Sequence, residues 1–95
     1  MQKEDVINET ANIIRKHLPE QYKIYLFGSW VKGNARENSD IDIGILGNKK
    51  VEWTIMAKIL NSVDEINTLR SIDVVDLKSA GRNFREKVLQ QAKPI

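Results

Sequence analysis

Ninety-five residues, of which 41% are hydrophobic, can supply one small core but not two. The absence of cysteine excludes disulfides, thiolate metal sites and cysteine nucleophiles, and a single histidine excludes a histidine-rich metal cage. Fifteen basic and thirteen acidic residues give a net charge of only +2, spread along the chain, whereas nucleic-acid-binding proteins typically carry a basic stripe. We therefore expect a single domain, residues 1–95, that does not bind nucleic acid directly.

The distribution of apolar residues also bears on the compartment. No apolar stretch is long enough to span a membrane, and the polar, acidic N-terminal residues differ from those of a signal peptide. These features predict a cytoplasmic protein without membrane contact. The mild positive charge is compatible with an anionic ligand such as a nucleotide but does not by itself indicate one.

The first half of the chain predicts a helix, a strand and a loop. Apolar residues recur at helical intervals as far as Pro19, which ends the helix; they are Ile7, Ala11, Ile14 and Leu18. Residues 22–27 are rich in aromatic and β-branched side chains and predict a strand that ends at Gly28. Residues 28–38 contain many turn-forming residues and predict a loop or a short helix.

The second half continues this alternation. Residues 41–46 and 71–77 predict two further strands, and residues 51–66 predict an amphipathic helix between them. Asn83 and Glu86 have the spacing of a capping box for a last helix that ends before Pro94. Its expected buried residues are Phe84, Val88 and Leu89. The fold class is therefore α/β (α+β), with a small mixed sheet of at least three strands and helices packed on it.

Gly28 and Ser29 stand where the first strand meets the following loop. A glycine at this point allows backbone amides to approach a phosphate closely, and a helix that begins at Ser29 would direct its first N–H groups toward the anion. The Ser29 hydroxyl can donate one more hydrogen bond. A plain strand-to-helix turn has the same two residues, so the pair alone does not establish a phosphate site.

Asp40 and Asp42 are separated by one residue at the start of a strand. Because side chains alternate along a strand, both carboxylates should leave the same face while Ile41 and Ile43 enter the core. Two neighbouring carboxylates are favourable when divalent cations lie between them, and oxygen-only ligands favour Mg²⁺ or Mn²⁺ over zinc. The alternative is an exposed polar face with an Asx-type turn at Ser39-Asp40.

A third carboxylate is available on the strand of residues 71–77. Asp73 lies between Ile72 and Val74, which should face the core, so its own side chain could stand beside Asp40 and Asp42. Asp76 is on the opposite face of that strand, near its end, where a capping role or solvent exposure is expected. The pattern favours Asp73 and leaves Asp76 as the alternative.

The segment from Gly28-Ser29 to Asp40-x-Asp42, followed by an apolar strand, resembles the motif of the DNA polymerase β-like nucleotidyltransferase superfamily. The chain is most similar to its minimal nucleotidyltransferases, the MntA-type antitoxins that are encoded with HEPN-domain toxins. The resemblance implies the polymerase β-like fold, with Asp40, Asp42 and Asp73 as catalytic residues that bind two Mg²⁺ ions. It also implies that Gly28 and Ser29 contact the triphosphate of ATP.

Three residues within the motif are further candidates for nucleotide binding. Lys32 and Arg36 lie between its two halves, where their charges could contact phosphates or could simply face solvent. Ser39 directly precedes the first aspartate, as the motif requires, and is included with them. The chain shows no departure from the family pattern at the glycine, serine and aspartate positions.

The activity implied by the resemblance is Mg²⁺-dependent transfer of AMP from ATP to a hydroxyl of a partner protein. The expected partner is a HEPN toxin, modified on tyrosine and thereby silenced, so that the chain is the antitoxin of a toxin–antitoxin pair. Two alternatives remain open: an inactive module that neutralises its partner by masking, and a nucleotidyltransferase for small molecules such as aminoglycosides. A homo-oligomer that builds an acceptor cleft is compatible with the last of these.

Overall fold

The computed structural model describes residues 2–33 and 40–95 and, at Lys32, the backbone alone. Helices and strands alternate along the chain, with four of each in the described residues. They are α1 (Lys3–His17), β1 (Lys23–Phe27), α2 (Ser29–Lys32), β2 (Ile41–Leu46), α3 (Trp53–Asp64), β3 (Ile72–Asp76), α4 (Arg82–Gln91) and β4 (Lys93–Pro94). The α/β fold class predicted from the sequence is confirmed.

The four strands form one mixed sheet in the order β3-β2-β1-β4. β1 pairs antiparallel with β2 and β4, whereas β2 and β3 are parallel and are connected through α3. β1 therefore ends at the edge of the sheet where β2 and β3 begin. The residues that follow β1 and those that open β2 and β3 are consequently neighbours in space.

The hydrophobic core lies on one face of the sheet, against α1 and α3. Alternate residues of the two central strands are buried there; they are Ile24, Leu26, Ile41, Ile43 and Ile45. Their counterparts on the two helices include Val6, Ile14, Ile59 and Val63. The predicted alternation of β2, with Ile41 and Ile43 inward, is confirmed, so the residues between them must face the other side of the sheet.

The ends of α1 are consistent with its sequence. Asp5 accepts a hydrogen bond from the Gln2 backbone N–H at 3.2 Å in the first turn, where acidic residues complement the helix dipole. Basic residues occupy the last turn, and His17 Nδ1 lies 2.8 Å from the Ile13 carbonyl oxygen. The helix ends before Pro19, as predicted.

The last helix differs from its prediction. Gly81 occupies the N-cap position with an extended backbone, and Asn83 lies inside the helix, so the predicted capping box is wrong. Glu86 instead accepts a hydrogen bond from Arg82 Nε at 3.0 Å, one helical turn away. Of the three residues expected to be buried, only Val88 is; Phe84 and Leu89 are 47% and 37% exposed.

The C-terminal strand β4 was not predicted. Lys93 and Pro94 pair with Leu26 and Tyr25 of β1 at the free edge of the sheet. A proline is tolerated there because an edge strand need not donate every backbone N–H to a neighbour. The backbone N–H of Ile95 donates to the Ile24 carbonyl oxygen at 3.0 Å and holds the chain end against β1.

Candidate functional site

The candidate site lies at the edge of the sheet where β1 ends and β2 and β3 begin. Asp42 is opposite Asp73 in the parallel pairing of β2 with β3, and opposite Phe27 in the antiparallel pairing of β1 with β2. Paired residues on neighbouring strands project from the same face, and adjacent strands are only about 4.8 Å apart. Phe27, Asp42 and Asp73 therefore form a row on the face opposite the core.

The structure separates the two candidates for a third carboxylate. Asp73 is exposed and stands next to Asp42, whereas Asp76 belongs to the opposite face. Asp76 accepts hydrogen bonds from the backbone N–H of Val51 at 2.8 Å, the backbone N–H of Lys78 at 3.1 Å and Ser79 Oγ at 2.8 Å. Its carboxylate thus anchors the segments that flank α3 and β3, and it is Asp73 that converges with Asp42.

Gly28 is held directly against the carboxylate of Asp42. Its φ of +81° and ψ of −152° belong to a region that only glycine occupies readily. A methyl group at this position would overlap Asp42 Oδ2 and come within 3.1 Å of Asp42 Cγ. The glycine is therefore required both by the backbone conformation and by the space that the carboxylate occupies.

The surroundings of Asp42 disfavour its negative charge. Its pKa is raised above the usual value, first by partial burial, then by the negative charges of Asp73 and Asp40. A hydrogen bond between the carboxyl groups of Asp42 and Asp73 contributes as well. Each of these effects disfavours the ionised form of Asp42, and a bound cation would offset the repulsion from Asp73 and Asp40.

The donor set consists of carboxylate oxygens, which fits Mg²⁺ or Mn²⁺. Within residues 2–33 and 40–95, however, no group of three His, Cys, Asp or Glu side chains is already close enough to surround an ion. The described arrangement is an Asp42–Asp73 pair with Asp40 as a nearby third charge.

The predicted nucleotide-binding residues are only partly described. Ser29 is the first residue of α2, and the Val31 N–H donates to the Gly28 carbonyl oxygen at 3.1 Å, which closes the turn after β1. At Lys32 the backbone completes α2. Arg36 and Ser39 lie outside the described residues. The sequence left a loop and a short helix open for this segment, and the structure has a four-residue helix that begins at Ser29.

Two cavities lie beside the row formed by Phe27, Asp42 and Asp73, and neither was predicted from the sequence. One, of about 470 Å³, borders Asp73 and is lined by residues of α3 and of the segment before β3, Leu60 and Arg70 among them. The other, of about 370 Å³, borders Gly28 and lies between the end of β1 and α4. Helical periodicity predicted that Phe84 is buried, so its position at this cavity between β1 and α4 was not expected.

Comparison with known proteins identifies relatives over nearly the whole chain. The family model described as "Polymerase beta, Nucleotidyltransferase" matches residues 8–95. The protein adenylyltransferase MntA of Shewanella oneidensis is 32% identical over 92 residues. The match covers 93% of this chain and 63% of that relative, so the chain spans less than two thirds of its length.

Solved structures agree with the sequence matches. A crystal structure of a toxin–antitoxin with AMP-PNP contains a chain that is 32% identical and superposes with a TM-score of 0.67. The alignment covers 92% of this chain and 69% of that one. A structure of a tri-AMPylated Shewanella oneidensis HEPN toxin in complex with MNT antitoxin gives 27% identity and a TM-score of 0.63, with coverage of 96% and 69%.

None of the described helices combines the length and the apolar character needed to cross a bilayer.

Proposed function

Because the chain belongs to the polymerase beta nucleotidyltransferase family, we propose that it transfers AMP from ATP to a hydroxyl group of a partner protein. The observation that carries this proposal is the Asp42–Asp73 pair on adjacent strands beside Gly28. A structural role alone would not explain why two carboxylates share one face with a third nearby, since their repulsion opposes folding. Binding of the metal cations that accompany a triphosphate gives the three carboxylates a purpose.

Each residue of the site has a distinct task in this reaction. Asp40, Asp42 and Asp73 would hold two Mg²⁺ ions, which neutralise the triphosphate and activate the acceptor hydroxyl when bound. Gly28 allows the backbone after β1 to lie close to the phosphates, and Ser29 donates a hydrogen bond from its hydroxyl. Asp73, the more exposed of the Asp42–Asp73 pair, could also accept the proton of the acceptor hydroxyl. Lys32, Arg36 and Ser39 are proposed as additional phosphate contacts.

The partner that we propose is a HEPN-domain toxin, modified on tyrosine, with this chain as its cytoplasmic antitoxin. Support comes from what the relatives are: one is named a protein adenylyltransferase, and another is an antitoxin in complex with a HEPN toxin that carries three AMP groups. The ATP analogue in a further complex is consistent with ATP as the donor. A hydroxyl acceptor fits the chemistry, because its proton can pass to Asp73 while its oxygen attacks the α-phosphorus in line. The bond from the α-phosphorus to the bridging oxygen then breaks, and pyrophosphate leaves on the opposite side.

Intact-mass spectrometry tests this function. If the adjacent reading frame encodes a HEPN-domain protein, that protein is incubated with the chain, ATP and Mg²⁺, and we expect mass increments that correspond to whole AMP groups. Tandem mass spectrometry then identifies the modified residue, expected to be tyrosine. A stable complex whose toxin keeps its unmodified mass would instead establish neutralisation by masking.

Two controls sharpen the measurement. Asp42→Asn keeps the size of the side chain but removes its charge, so the complex should form and the toxin should remain unmodified. Omission of Mg²⁺ with added chelator should have the same effect. AMP transfer at the wild-type rate by Asp42→Asn would refute the assigned role of the aspartates.

A further inference from the structure

We propose that the cavity between β1 and α4 binds the purine base of the nucleotide, with the ring of Phe84 as its stacking surface. This inference rests on the proposed function, because it requires a nucleoside triphosphate at the aspartates. It adds what the motif leaves open, namely which part of so small a chain recognises the base. The cavity has a volume of about 370 Å³, within the range of small-molecule sites.

The position of the cavity follows from the register of the sheet. Phe27 is paired with Asp42, so its ring and the carboxylate leave the same face of adjacent strands. Gly28 borders the cavity and also touches Asp42, and it is therefore the point where the two regions meet. A ligand whose phosphates lie at Gly28 and the aspartates would therefore have the rest of the molecule beside this cavity.

The chemistry of the lining suits an aromatic heterocycle. Phe84 contacts Phe27 edge to face, with ring centroids 6.3 Å apart and an angle of 81°, and 47% of Phe84 remains exposed. This contact fixes the ring orientation while leaving much of its surface without a partner among the described residues. Gln90 and Gln91 also line the cavity, and their amides can both donate to and accept from the edge of a base.

Charge supports the same assignment. Lys87 also lines the cavity, so a positive side chain is available to an anionic nucleotide. The cavity beside Asp73 has a different character, because its lining includes two carboxylates, Asp64 and Asp73, and one cation, Arg70. The net negative charge of that lining is less favourable for a nucleotide than the lining of the cavity between β1 and α4.

Titration calorimetry with two probes tests the inference. AMP-PNP carries both base and phosphates, whereas inorganic tripolyphosphate carries only the charge, and both are titrated in Mg²⁺ into the whole chain. We expect Phe84→Ala to weaken AMP-PNP binding roughly 5- to 150-fold, the range for loss of one base–aromatic stack, and to leave tripolyphosphate binding unchanged. Phe84→Trp, which keeps an aromatic surface, should retain the affinity for AMP-PNP.

Leu60→Ala is the matched control, because Leu60 is 42% exposed and lines the cavity beside Asp73. It should bind both probes as the wild type does. Equal affinity of wild type and Phe84→Ala for AMP-PNP, equal losses for the two probes, or a selective loss in Leu60→Ala would each overturn the base site alone. A wild-type chain that binds neither probe would overturn both the base site and the nucleotidyl-transfer proposal.

Discussion

Substituting Gly28 with alanine should damage the fold and the site together. The backbone at Gly28 lies in a region that costs about 1–3 kcal/mol for any other residue. The added methyl group would also displace the Asp42 carboxylate, and forcing that side chain off its rotamer costs about 0.5–1.5 kcal/mol. We therefore expect Gly28→Ala to lower the free energy of unfolding by about 2–4 kcal/mol, and activity to be lost in the protein that remains folded.

Two other glycines separate the contributions. Gly33 also has a positive φ, +82°, but a methyl group there meets no described atom within 4 Å, so Gly33→Ala should cost only the backbone term of about 1–2 kcal/mol. Gly81 has a φ of −60° and equally open surroundings, and Gly81→Ala should change stability by less than about 1 kcal/mol. From the most stable variant to the least stable, the expected order is Gly81→Ala, Gly33→Ala and Gly28→Ala.

Thermal unfolding followed by circular dichroism measures this order. For a domain of this size, each kcal/mol corresponds to a change in Tm of about 4–8 °C, so Gly28→Ala should unfold at least about 8 °C below the wild type. AMP transfer is then assayed below each variant's Tm. If Gly28→Ala were as stable and as active as Gly33→Ala, the close approach between residue 28 and Asp42 would not matter, and the reasoning would be wrong.

Three further predictions concern the carboxylates. Asp42→Asn should reduce AMP transfer at least about 100-fold and raise the Tm at pH 7. The reason is that the fold disfavours the ionised form of Asp42, as its raised pKa shows. In melts from about pH 8 to about pH 4, the Tm of the wild type should approach that of Asp42→Asn as the pH falls through the raised pKa toward the usual 3.8. Asp76→Ala should lower the free energy of unfolding in urea by about 2–4 kcal/mol, because three hydrogen bonds are lost. Asp73→Asn, by contrast, should abolish AMP transfer and be at least as stable as the wild type. An Asp76→Ala variant with wild-type stability would contradict the anchoring role of Asp76. Mg²⁺ at ten times its Kd should stabilise the wild type by about 1.4 kcal/mol and Asp42→Asn by clearly less, and an equal rise in Tm would place the ion elsewhere.

The sequence by itself determined most of the local elements and the orientation of Asp42. Apolar residues alternate through Ile41, Ile43 and Ile45, and burial of that set forces Asp42 onto the opposite face whatever its neighbours are. Gly28 marks the end of β1 because the chain there needs a positive φ. These properties depend on a few consecutive residues, and they were therefore predictable.

Only the tertiary structure decided which distant residues meet. The parallel register of β2 and β3 places Asp73 opposite Asp42 and leaves Asp76 to anchor the backbone at Val51, a choice that the pattern of β3 favoured but could not make. The same is true of Phe84, which periodicity assigned to the core but which stands half exposed beside Phe27. Strand register and the docking of α4 depend on the packing of the whole chain, because each pairing is selected by the total area that it buries rather than by the residues on either side.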